Sequence, residues 1–206
     1  MTERIGLIGA GGHADEVESY TGGKALFRAV TESYLSSEAE VNVMRPPEDL
    51  INKPVHIAVG APGLRKRLHD LWPGENYRSV IAAGSYIDKT SYIGEGSLVA
   101  PGVVITTRVK LGNYAIVNVA SSIQHNSEIG DYATVSPGVR IGGDVTAGDG
   151  VFLGIGAIVK NGVTIAPGVV LGAGAVLLHD AEVENGVYVG VPARHIKTNE
   201  GWLHEI

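Results

Sequence analysis

From Ser85 to Pro192, apolar side chains return every six residues. SYIDKT, SYIGEG, SLVAPG and their successors, down to VYVGVP, make eighteen hexads without an insertion. The third position is Ile, Leu or Val in seventeen of them and Ala147 in the other; the first is always Ser, Val or Ala. A helical stripe recurs every 3.6 residues and would drift around the axis at this period. A six-residue repeat instead predicts a parallel β-helix, in which each hexad gives one short strand and a turn. Three hexads close a triangular coil, and the third position points inward onto its equivalent eighteen residues away. Eighteen hexads predict six coils and a prism roughly 29 Å long at ordinary strand spacing. Gly, Asn and Asp near the hexad ends suit tight corners that demand positive φ.

The first eighty residues follow another pattern. IGLIG (5–9) reads as a short buried strand, and AGGHADEVESY as a glycine turn leading into a helix. ALFRAV and VHIAVG read as further strands, and APGLRKRLHDLW as a helix opened by Pro62. Strands alternating with helices predict a small parallel α/β unit, half a dinucleotide fold in size. The expected organisation is a Rossmann-like βαβ domain over 1–82, a β-helix over 85–192 and a tail over 193–206.

Composition narrows the chemistry. The net charge is −6 with no run of Lys or Arg, which argues against non-specific nucleic-acid or membrane-surface binding. There is no cysteine, so disulfides, thiolate metal sites and a cysteine acyl-enzyme are excluded. Glycine reaches 29 residues, about twice ordinary usage. The N-terminal apolar run is too short for a signal peptide and nothing later approaches a membrane span, so a cytoplasmic protein is expected.

The hexads, together with GAGGHA (9–14) and VGVPAR (189–194), resemble the hexapeptide-repeat acyltransferases. The nearest branch is the sialic-acid O-acetyltransferase/bacillosamine N-acetyltransferase-like family, which N-acetylates amino groups on nucleotide-linked sugars. The resemblance implies a left-handed helix, a homotrimer, acetyl-CoA between neighbouring helices and a nucleotide sugar on the N-terminal unit.

His125, in SSIQHN, sits at position five of its hexad, on an outward corner. Its stacking neighbours, Thr107 and Gly143, are small and leave room for a ring and a ligand. By composition alone a solvated surface histidine is the simpler reading; the resemblance makes it the catalytic base. An imidazole titrates near neutral pH and suits acceptance of the proton released when an amine attacks a thioester. Gly143 is the candidate donor of a backbone N–H to the developing oxyanion. Direct transfer, without an acyl-enzyme, is expected. Many relatives carry Asp or Glu after this histidine; here Asn126 stands there, and Asp144, one coil on, is expected to supply some of the missing charge. Thr134 takes a place where relatives often have a histidine toward acetyl-CoA.

GAGGHA fits GxGxxA, whose glycines let the backbone meet a phosphate at a helix N-terminus. The resemblance places Gly11, Gly12, His13 and Gly60 at the nucleotide sugar, with Thr31 and Glu32 standing where relatives show an acidic pair. For acetyl-CoA it implies Ile155 and Ala173, one coil apart at position five, and Lys160 and Arg194 are candidate phosphate contacts. A γ-class carbonic anhydrase would need three converging histidines. The β-helix has only His125 and His179, three coils apart or about 14 Å, so no metal site is expected. An O-acetyltransferase and a non-catalytic trimeric scaffold are the remaining alternatives.

Overall fold

The computed structural model describes residues 4–35 and 40–205. The N-terminal unit is a four-stranded parallel sheet. Its strands are β1 (Gly6–Ile8), β2 (Arg28–Val30), β3 (Glu40–Asn42) and β4 (Val55–Ile57), in the order β3-β2-β1-β4. Three helices connect or flank them: α1 (Gly12–Tyr20), α2 (Glu48–Ile51) and α3 (Pro62–Leu71). One sheet face packs Ile8, Phe27, Val55 and Ile57 against Leu68 and Trp72. The other packs Leu7 against Ala14 and Val17 of α1.

Two-residue strands then recur every six residues, in three sheets of five, eight and six strands, all parallel except that the eight-stranded sheet ends on Gly186–Val189 and the antiparallel Arg194–Thr198. Partners are eighteen residues apart, as in Ile123↔Ile141 and Ile141↔Val159. The inward column Ile105, Ile123, Ile141, Val159 and Leu177 is at most 2% exposed. Burying each such side chain contributes about 1.5–3 kcal/mol, which is why the period dominates the sequence. Corners need left-handed backbone at position six. Glycine supplies it at Gly96, Gly102, Gly138 and Gly156, but Arg108, Tyr114, Ala120, Asn126, Tyr132 and Asp144 adopt it too.

The repeat departs from its expected limits at both ends. It begins one hexad early, with Val80–Ile81 paired to Leu98–Val99. Past Asp180 it loses step: Ala181 lies against Ile165, sixteen residues away, and Tyr188 pairs with Leu171, seventeen away. Val183 and Val189, expected inward, are 41% and 36% exposed, while Ala181 and Tyr188 are buried. Valines at 183, 187 and 189 suit either register, so the pattern alone selects the wrong one. The Tyr188 hydroxyl accepts from the Val183 N–H (3.3 Å).

The N-terminal unit covers the outer face of the eight-stranded sheet. Leu98, Ile116 and Thr134 point outward from that sheet yet are at most 2% exposed, with Leu98 and Ile116 packed on Ile5, Leu7, Ala14, Val17 and Ala58. Arg65 of α3 is fully buried in the same seam. Residues 194–198 pair antiparallel with the preceding strand, and the chain then returns to the N-terminal unit, where Leu203 O accepts the Gly63 N–H (2.8 Å). Trp202 fills the space over Gly150, where a Cβ would lie 2.1 Å from its ring.

Candidate active site

The corner between the six- and five-stranded sheets carries His125. The neighbouring coil holds it from below: a Cβ at Gly143 would stand 2.5 Å from the ring Cε1. Glycine there is what lets the imidazole pack against the backbone of the neighbouring coil. Asn126 follows in left-handed backbone, φ 60°. Its Nδ2 donates to Asp144 Oδ1 (2.8 Å) and lies 3.2 Å from His125 Nδ1. Asp144 Oδ2 is 3.7 Å from the same ring nitrogen, outside hydrogen-bond reach. Arg108, which no sequence motif marks, donates from Nε to Asn126 Oδ1 (2.8 Å). Only spacing could have revealed it, since Arg108, Asn126 and Asp144 are eighteen residues apart at position six. The structure thus brings His125, Asn126, Gly143 and Asp144 together.

A cavity of about 490 Å³ opens in the N-terminal unit, lined by Gly9, Gly11, Thr31, Tyr34, Glu40 and Val59 among others. Gly11 is the N-cap of α1, and a Cβ at Gly11 or Gly12 would meet nothing within 4 Å. Both backbones therefore face open space, as close approach of a ligand requires. Of the residues expected at the nucleotide sugar, Gly11 and Thr31 line the cavity, whereas Gly12, His13, Glu32 and Gly60 do not; Tyr34 and Glu40 do. Gly60 instead presents its carbonyl to Arg65 and Thr134.

His13 Nδ1 meets Glu16 Oε2 (3.2 Å), while His56 Nδ1 donates to Arg78 O (3.0 Å). Each opposite Nε2 is buried without a hydrogen-bond partner. Burial lowers the pKa of both, His56 to about 4. The unfolded chain then binds protons that the folded one refuses. Stability is complete above about pH 6.5 and falls between pH 6.5 and 4, by about 3 kcal/mol for His56. Chemical denaturation across this range is expected to show the slope, and His56→Gln to remove most of it.

The remaining predicted residues are dispersed. Ile155 and Ala173 are exposed, one coil apart, but on the corner between the eight- and six-stranded sheets, away from the His125 corner. Lys160 lines a polar recess with Asn161, His179 and Asp180, farther along the His125 corner. Arg194 is exposed and donates to its neighbour's carbonyl, Ala193 O (3.0 Å). Thr134 requires correction. It is 2% exposed, donates to Gly60 O (2.6 Å) and accepts from Arg65 Nη2 (2.9 Å). Its hydroxyl belongs to the seam between the two units and offers nothing to acetyl-CoA. Among the described residues no three His, Asp or Glu gather as metal ligands, and no helix is long and apolar enough to cross a membrane.

No protein-family model matches the chain, and comparison with curated proteins finds no relative. Solved structures do resemble it. A perosamine N-acetyltransferase from Caulobacter crescentus, in complex with CoA and GDP-perosamine, superimposes with a TM-score of 0.80 at 24% identity, covering 96% of this chain and 98% of that one. WeeI from Acinetobacter baumannii gives 0.79 at 26% identity, covering 95% and 100%. The acetyltransferase domain of PglB from Neisseria gonorrhoeae, in complex with acetyl coenzyme A, gives 0.77 at 22% identity, covering 95% and 100%. The likeness extends through both the N-terminal unit and the β-helix, and what it establishes is the shared fold.

Proposed function

We propose that this chain is a hexapeptide-repeat acyltransferase with a left-handed β-helix, transferring acetyl from acetyl-CoA to the amino group of a nucleotide-linked sugar. The observation that carries the reading is a near-full-length likeness to enzymes solved with CoA and a sugar nucleotide, joined to an imidazole seated on a glycine backbone. In the reaction the free amine attacks the thioester carbon, His125 accepts the proton released, and the Gly143 N–H steadies the oxyanion. The carbon–sulfur bond then breaks and the proton passes to the departing thiolate. An amine is preferred over a hydroxyl because no carboxylate lies within hydrogen-bond reach of Nδ1, and a hydroxyl needs stronger base assistance.

The geometry also favours a homotrimer. The N-terminal unit covers the eight-stranded sheet, whereas His125 stands on the edge opposite that sheet. A nucleotide sugar in the Gly11 cleft, a Rossmann-like site in this reading, meets the His125 of a neighbouring copy. The outer face of the six-stranded sheet exposes Tyr86 (57%), Val104 (39%) and Ile158 (45%) around Ser122 and Arg140, a largely apolar surface suited to such a neighbour. Packing the six-stranded face of one copy beside the Ile155–Ala173 corner of the next would bring the acetyl-CoA strip to His125. Thiol release from acetyl-CoA with a panel of nucleotide-linked 4-amino sugars is the test. Release dependent on one of them is expected. Binding of a sugar nucleotide with no release from any panel member would leave a scaffold.

A further inference from the structure

Two neighbours of Asn126 have fixed hydrogen-bond polarity. The Arg108 guanidinium only donates, so the Asn126 atom 2.8 Å from its Nε is the amide oxygen. The Asp144 carboxylate only accepts, so the atom 2.8 Å from its Oδ1 is the amide nitrogen. A flipped amide would set two donors against each other on one side and two acceptors on the other. The nitrogen therefore also faces His125 Nδ1 at 3.2 Å, and a ring nitrogen met by a donor answers with its lone pair.

We propose that Arg108 is a positioning residue that, together with Asp144, sets the tautomer of His125, holding the Asn126 amide so that the neutral ring carries its proton on Nε2. This deepens the acetyltransfer reading and rests on it. Nδ1 is turned into the ladder, which leaves Nε2 as the nitrogen that meets a substrate amine. To accept a proton there, the ring must first hold its own proton on Nδ1, and the nearest carboxylate oxygen for that N–H, Asp144 Oδ2 at 3.7 Å, must close in before it can accept. The two arrangements exclude each other, because Nδ1 either accepts from Asn126 or donates to Asp144. Arg108 favours the first and so governs how much of the base-competent ring is present. Proton balance is then complete: the amine proton moves to Nε2, Nδ1–H keeps its own, and the imidazolium returns the Nε2 proton to the CoA sulfur.

Two-bond proton–nitrogen correlation spectra of the full-length protein, labelled with ¹⁵N-histidine and held at alkaline pH, read the tautomer without turnover. The Nε2–H form is expected to dominate the wild type. In an Asp144→Gly background, which fits the left-handed corner and leaves Arg108 alone to fix the amide, the Nε2–H form is expected to persist, and adding Arg108→Gly is expected to enrich the Nδ1–H form; Arg108→Lys in that background, which still donates, keeps the wild-type pattern. Asn126→Asp makes Nδ1–H dominant and raises kcat about fivefold, the worth of one ordinary hydrogen bond, with KM unchanged. A wild-type ring already protonated on Nδ1, or an Arg108→Gly/Asp144→Gly spectrum like that of Asp144→Gly, overturns the proposal. A shifted tautomer in Asn126→Asp with unchanged kcat removes its bearing on turnover. The spectra stand whether or not acetyltransfer is found, so the two readings fail separately.

Discussion

His125→Ala is expected to lower kcat by about 10²–10⁴-fold with both substrates saturating, the usual contribution of a positioned proton acceptor. The fold gives the variant no reason to fail otherwise. The side chain is 54% exposed, and it contributes nothing to the inward column that stabilises the coils. The Arg108–Asn126–Asp144 ladder and the Gly143 backbone remain in place, so a residual rate from oxyanion stabilisation and substrate proximity is expected to survive. KM for either substrate should change little, because the ring acts on a proton that moves only after attack. Thiol release under saturation, read beside an unchanged unfolding midpoint, separates chemistry from stability. Turnover at the wild-type rate would place the chemical centre elsewhere.

The sequence displays this site because a β-helix converts spacing into contact. Residues eighteen apart are neighbours, so the repeat alone pairs Gly143 and Asp144 with His125 and Asn126. Arg108 obeys the same rule and was equally available; its charge and corner position make it look like a solvated surface residue. Other features depend on which outward face receives the N-terminal unit. Position two of the eight-stranded sheet reads Leu98, Ile116, Thr134, whereas the same position of the five-stranded sheet reads Lys110, Glu128, Thr146. That contrast marks the covered face and would have moved Thr134 out of the acetyl-CoA set. The slip after Asp180 has no comparable signal, because valine satisfies both registers. The aromatic contacts of the seam lie between these cases. Tyr114 and Tyr132 are eighteen apart and stack at 5.1 Å, but their His69 partner comes from α3. No periodicity links a helix in one unit to a corner of the other.

Arg65→Ala is expected to destabilise the protein by about 3–5 kcal/mol, since each buried carbonyl left without a donor costs about 1–3 kcal/mol and the void adds to this. In GLRKRLHDL this arginine looks like one more surface cation. The structure instead buries it completely and surrounds it with backbone carbonyls. Nε donates to Tyr114 O (2.7 Å), Nη1 to Val59 O and Gly60 O, and Nη2 to Tyr132 O, Ala133 O and Thr134 Oγ1. Burial lowers its pKa only to about 9, so at neutral pH it remains a cation held by carbonyl dipoles. The planar fork reaches three acceptor groups at once: the loop after β4, the Tyr114 corner and the Tyr132–Thr134 corner and strand. Alanine takes the guanidinium donor from Tyr114 O, Val59 O and Tyr132 O, while Gly60 O keeps the Thr134 hydroxyl and Ala133 O keeps the Ile116 N–H, and it opens a void between the units. Lysine keeps the charge but has one nitrogen, so it recovers only part of the loss. For a chain of this size the loss corresponds to a midpoint lower by roughly 10 °C. Because the network ties the units together, hydrogen exchange in α3 and the Val59–Gly60 loop is expected to rise first, while the inward column of the coils stays protected. Val59 also lines the N-terminal cavity, so KM for the sugar nucleotide should rise in a variant kept below its melting point, with kcat less affected. Equal loss of protection throughout both units would show that they unfold as one cooperative body, and an unchanged midpoint would show that solvent satisfies these carbonyls as well as the guanidinium does.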